Sequence, residues 1–68
     1  MKLSARNQLK GTVKGVKSGT VMAEVVVDVG GQEIVSAITQ GSVERLGLAE
    51  GQEVTVIVKA TEVLLAIE

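Results

Sequence analysis

The chain has 68 residues, seven basic and eight acidic, for a net charge of −1, and it contains no cysteine, histidine, proline or aromatic residue. One small domain spanning residues 1–68 is expected. Disulfides are excluded, as are zinc sites built on thiolate or imidazole and haem ligation by histidine or cysteine. The balanced charge and the lack of stacking side chains argue against a nucleic-acid partner. No apolar run is long enough to span a membrane, so no membrane partner is expected. Met1-Lys2-Leu3-Ser4-Ala5-Arg6 offers no apolar run for secretion, which points to the cytoplasm. A domain this small buries only about 60% of the surface its unfolded chain exposes. With no disulfide or metal to help, self-association is the expected source of further burial.

Residues 3–17 read as a first strand. Leu3, Ala5, Leu9 and Val13 fall on one face, and Ser4, Arg6, Gln8, Lys10, Thr12 and Lys14 on the other. Gly11 and Gly15 mark bends or bulges in it, and Lys17-Ser18-Gly19 makes a turn. From Thr20 to Val29 every odd position is apolar, the period-two signature of a second strand with one buried face. Gly30-Gly31 is a two-residue hairpin signal, because both positions tolerate positive φ. Gln32 to Thr39 follows as a third strand. Gly41-Ser42 then opens a short helix over Val43-Glu44-Arg45-Leu46, with Ser42 or Gly41 as N-cap and Gly47 closing it. After a turn at Glu50-Gly51, Glu53 to Lys59 alternates with Val54, Val56 and Val58 inward. Thr61 to Glu68 reads as a last strand carrying Val63, Leu65 and Ile67.

The predicted class is therefore all-β: a five-stranded OB-like barrel with one short helix between strands three and four. Met22, Val26, Val35, Ile57 and Leu64 fall on outer strand faces, where a small barrel has no internal use for them. They point to an interface between subunits.

Catalytic groups are nearly absent. Without histidine or cysteine the commonest general base and the strongest nucleophile are missing. Glu24 and Asp28 share the outer face of strand two and read as solvated or interface charges. Gly30-Gly31 lacks the strand-to-helix context of a phosphate loop. No enzyme activity is expected. The opening segment is different, because Ser4-Ala5-Arg6-Asn7-Gln8 offers a hydroxyl, a guanidinium, two amides and backbone N–H groups within five residues. A deprotonated tetrahedral oxyanion has acceptors only, so a site for one is built of donors, with arginine as the planar clamp.

Ser4-Ala5-Arg6-Asn7-Gln8-Leu9-Lys10-Gly11 resembles the opening motif of the molbindins, or Mop proteins, small molybdate- and tungstate-binding proteins of prokaryotes. Collinear likeness continues through Thr20-Val21-Met22-Ala23-Glu24-Val25, through Ser42-Val43-Glu44-Arg45-Leu46-Gly47-Leu48, and through Val58-Lys59-Ala60-Thr61-Glu62-Val63. The resemblance implies an OB-like fold assembled as a homo-hexamer, a trimer of dimers, that binds molybdate or tungstate between subunits without an organic cofactor. One class of site would join Ser4, Ala5 and Arg6 of one chain to Lys59 and Ala60 of another. The family often has serine where this chain has Ala60, so one hydroxyl donor is missing there. A second class of site, near a threefold axis, would use Lys17, Ser18, Gly19 and Thr20. The implied function is oxyanion storage or homeostasis. The alternative is a non-catalytic OB-like self-assembly or interaction module without a specific oxyanion ligand.

Overall fold

The computed structural model covers residues 1–68. Its elements in chain order are β1 (Asn7–Lys17), β2 (Met22–Val29), β3 (Gln32–Thr39), the helix α1 (Gln40–Leu46), β4 (Glu53–Val58) and a single 3₁₀ turn (Ala60–Glu62). The strands form one antiparallel sheet in the order β3-β2-β1-β4. Alternation in β2 places Ala23, Val25 and Val27 inward, and these form the buried core with Val13 of β1 and Val43 of α1. Val21, expected on the same face, is 70% exposed because the ladder begins only at Met22.

β2 and β3 are joined through Gly30 and Gly31, both at positive φ (58° and 88°), as a tight hairpin requires. The helix starts earlier than the sequence suggests. Its N-cap is Thr39, not Ser42 or Gly41: the Thr39 hydroxyl oxygen accepts the Ser42 N–H at 3.0 Å. Ser42 sits inside the first turn and receives the Thr39 hydroxyl proton on its own Oγ at 2.8 Å. Gly47 closes the helix in the left-handed region as expected (φ 62°), and the Leu48 N–H reaches back to the Val43 carbonyl at 3.1 Å.

The register of β1 against β2 shifts between Val13 and Gly15, so Lys14 is bulged out of the ladder. The extra residue changes the phase of the strand. Val13 and Val16 both turn toward the core, which an unbroken two-residue period would forbid. The bulged Lys14 donates to the Glu33 carboxylate. That hydrogen bond, then the attraction of the same charge and of Asp28, raises the lysine above its usual pKa of 10.5. The small contribution of this exposed pair is therefore present at neutral pH and lost as pH rises through that raised pKa.

Gly11 marks a close approach. A Cβ there would lie 2.6 Å from Val27 Cγ1 and 2.8 Å from the Asp28 carbonyl oxygen. Gly11→Ala should lower unfolding free energy by about 1–3 kcal/mol, read as a fall in denaturant midpoint. Gly15→Ala, where nothing lies within 4 Å, is the matched control and should be near neutral. Equal midpoints for the two variants would contradict the close approach.

Strand limits differ from the sequence reading most at the two ends of the chain, while β2 starts at Met22 rather than Thr20 and β4 stops at Val58 rather than Lys59. β1 begins at Asn7, not at residue 3, because the preceding residues curl back on hydrogen bonds from Gln8. The expected fifth strand is not formed within the chain. Ala60–Glu62 makes a helical turn, and residues 63–68 then leave the sheet without pairing. Leu64, Leu65 and Ile67 are 92%, 91% and 98% exposed. A strand needs an edge to bond to as well as a two-residue period, and the sequence pattern supplies only the second. The sheet is accordingly open, with β3 and β4 as free edges.

Candidate functional site

The β1/β4 ladder decides where the donor-rich opening segment lies. Asn7 pairs with Val58, Gln8 with Ile57 and Leu9 with Val56. Antiparallel strands bring the residues before one strand beside those following the other. Residues 4–6, which precede Asn7, therefore meet residues 59–61, which follow Val58. A depression of about 680 Å³ lies at this end of the sheet, lined by Ser4, Ala5, Arg6, Asn7, Ile57, Lys59, Ala60 and Thr61.

All five residues of the first expected site, Ser4, Ala5, Arg6, Lys59 and Ala60, line this one depression within a single chain. The resemblance assigns the two halves to different chains, whereas here they already face one another in one. Asn7, already part of the donor-rich opening segment, joins them, whereas Ile57 and Thr61 were missed by sequence reading, and the pairing register is the signal that finds them. Thr61 brings a hydroxyl one residue beyond Ala60, the position that lacks one.

The chemistry of the lining is one-sided. Arg6 and Lys59 supply two cations, Ser4 and Thr61 two hydroxyls and Asn7 an amide, and no carboxylate is present. Such a set fits a divalent anion. A second depression, of about 540 Å³, contrasts with it: Lys10 lies there with Asp28 and Glu53, whose charges oppose an anion. No group of three or more acidic, histidine or cysteine side chains converges to hold a metal cation.

The residues of the second expected site, Lys17 at the end of β1 and Ser18, Gly19 and Thr20 on the β1–β2 connection, lie exposed together. They are separate from the first depression. The Gly19 N–H is already engaged, donating to Gln40 Oε1 at 3.2 Å. A Cβ at Gly19 would lie 2.2 Å from the Met22 carbonyl oxygen, so the loop is shaped around this glycine. No helix of the chain is long and apolar enough to cross a membrane.

A TOBE domain model matches residues 3–65. Molybdenum-pterin-binding protein 2 of Clostridium pasteurianum is 54% identical over 66 residues, covering 96% of this chain and 97% of that protein. A probable molybdenum-pterin-binding protein of Haemophilus influenzae is 44% identical over 69 residues, with both chains covered in full. Among solved structures, a molybdate-binding protein from Sporomusa ovata superposes with a TM-score of 0.93 at 51% identity, covering 98% of this chain and 100% of that one. The cytoplasmic molybdate-binding protein ModG, with molybdate bound, gives a TM-score of 0.83 at 48% identity over 88% of this chain and 43% of its own. With a domain match from residue 3 to residue 65 and half-identical relatives of the same length, this chain belongs to the TOBE-domain family, among its molbindin (Mop) proteins.

Proposed function

We propose that this chain binds molybdate or tungstate reversibly, as a cytoplasmic store or buffer of the oxyanion, and catalyses no reaction. The observation that carries this reading is the convergence of Ser4, Arg6, Lys59 and Thr61 on one depression free of carboxylates. Two cations match the charge of a divalent oxyanion, and the hydroxyls and free amides match its acceptor oxygens. A local set of donors outweighs a net charge of −1, because the field of the nearest groups dominates at hydrogen-bonding distance. The names of the relatives, molybdate-binding and molybdenum-pterin-binding, agree with this ligand class.

Self-association is part of the reading. Only five of 68 residues are buried, so a single chain leaves most of its aliphatic side chains wet. Val63, Leu65 and Ile67 alternate along a tail that pairs with nothing, while β3 and β4 present unpaired edges. A tail from a second copy, laid between those edges, would supply the fifth strand of an OB-like barrel. Met22, Val35 and Ile57, exposed on the outer face, provide further surface for a hexamer arranged as a trimer of dimers. Neighbouring chains would also narrow the open depression around the anion and wall in the Lys17-Ser18-Gly19-Thr20 loop as a second site.

Calorimetric titration of the full chain with molybdate, tungstate and sulfate tests the function. Saturable binding of molybdate or tungstate is expected, with stoichiometry fixed per oligomer. Heats no larger than dilution for all three anions would overturn it.

A further inference from the structure

We propose that Gln8 is a positioning residue of the anion site, aiming the Arg6 backbone N–H at the bound oxyanion. The inference rests on the oxyanion reading above and concerns a residue that does not itself line the depression. Gln8 donates backward twice. Its side-chain Nε2 reaches the Ala5 carbonyl at 2.7 Å, and its backbone N–H reaches the Arg6 carbonyl at 3.1 Å. The side-chain amide, a candidate anion donor on sequence grounds, is thus spent on the chain itself.

The consequence follows from peptide geometry. Every peptide bond in the chain is trans, so the Ala5 carbonyl and the Arg6 N–H point in opposite directions across one rigid plane. Fixing the Ala5 oxygen toward Gln8 turns the Arg6 N–H the other way. That N–H has no acceptor within the chain, so it is free to donate to a ligand. If the Gln8 amide were removed, the Ala5–Arg6 peptide could rotate and offer its carbonyl oxygen to the anion instead. An acceptor would then face an acceptor, which repels where a donor would bind. Glutamine has the length to reach from the first rungs of β1 back three residues. Asparagine, one methylene shorter, does not.

The test uses the full-length, isotopically labelled chain titrated with sodium molybdate, read by calorimetry and by the Arg6 backbone amide resonance. In the unmodified chain the Arg6 amide proton should move downfield on saturation. Gln8→Met keeps the side chain's length and removes its donor. It should weaken molybdate binding roughly three- to tenfold and diminish the Arg6 shift. Gln8→Asn keeps an amide but shortens it, and should show the same two losses; it decides the matter if the methionine variant does not fold. Unchanged affinity, or weaker binding with the Arg6 shift intact, would overturn the role of Gln8 while leaving the oxyanion site standing. Failure of both variants to fold would assign Gln8 to stability and also overturn it. An unmodified chain that binds no molybdate would instead overturn the functional reading, and this inference with it.

Discussion

Removing residues 63–68 should abolish the proposed self-association and leave a poorly stable monomer. Leu64, Leu65 and Ile67 are almost wholly exposed in the single chain. Each such side chain contributes about 1.5–3 kcal/mol when fully buried. A chain with five buried residues cannot spare that surface. The double variant Leu65→Asp, Ile67→Asp is the sharper form of the experiment, because it keeps chain length and places charge where the alternating pattern expects a core. Light scattering at micromolar concentration should show a discrete oligomer, with a hexamer expected, for the unmodified chain. The same measurement should show monomer for both variants, with a lower thermal midpoint. An oligomer of unchanged size after truncation would rule out the tail as the joining element.

Replacing Lys59 with alanine should weaken molybdate binding roughly ten- to a hundredfold, the loss of about 1.5–3 kcal/mol from one charge-assisted hydrogen bond. Arg6→Ala should do comparable damage if the guanidinium touches the anion, and far less if only the Arg6 backbone N–H does. The fold should survive both changes, since Arg6 and Lys59 are exposed and lie outside the strand ladder. Ala60→Ser adds a donor to a lining that already has hydroxyls at Ser4 and Thr61, and should tighten binding by roughly two- to tenfold. Calorimetry on the variants, with oligomer size checked in parallel, reads all of these. Molybdate affinity that persists in the Ser4→Ala, Arg6→Ala, Lys59→Ala triple variant would remove the site assignment.

The parts of this protein legible in its sequence are those set by neighbouring residues. The alternation from Met22 to Val29 defines a strand and its inner face, Gly30-Gly31 a hairpin and Gly47 a helix end, because period and positive φ are local properties. The donor-rich Ser4-Ala5-Arg6 segment is likewise visible as chemistry without any fold. Its partner is not. On sequence alone Lys59 is an ordinary strand-end lysine, and only the resemblance singles it out.

Tertiary structure decided the rest, because it depends on which strands become neighbours and in what register. The β1/β4 pairing of Asn7 with Val58 carries Ser4 and Arg6 to Lys59 and Thr61 across more than fifty residues of chain, which no local window contains. The bulge at Lys14 was signalled by the nearby glycine, but its effect, turning both Val13 and Val16 inward, exists only against β2. The last segment shows the same division. Val63, Leu65 and Ile67 have the period of a strand, yet a strand is completed by hydrogen bonds to an edge, and no edge of this chain receives them. The sequence determined which residues are fit to pair; the closing of one strand upon another determined which of them do.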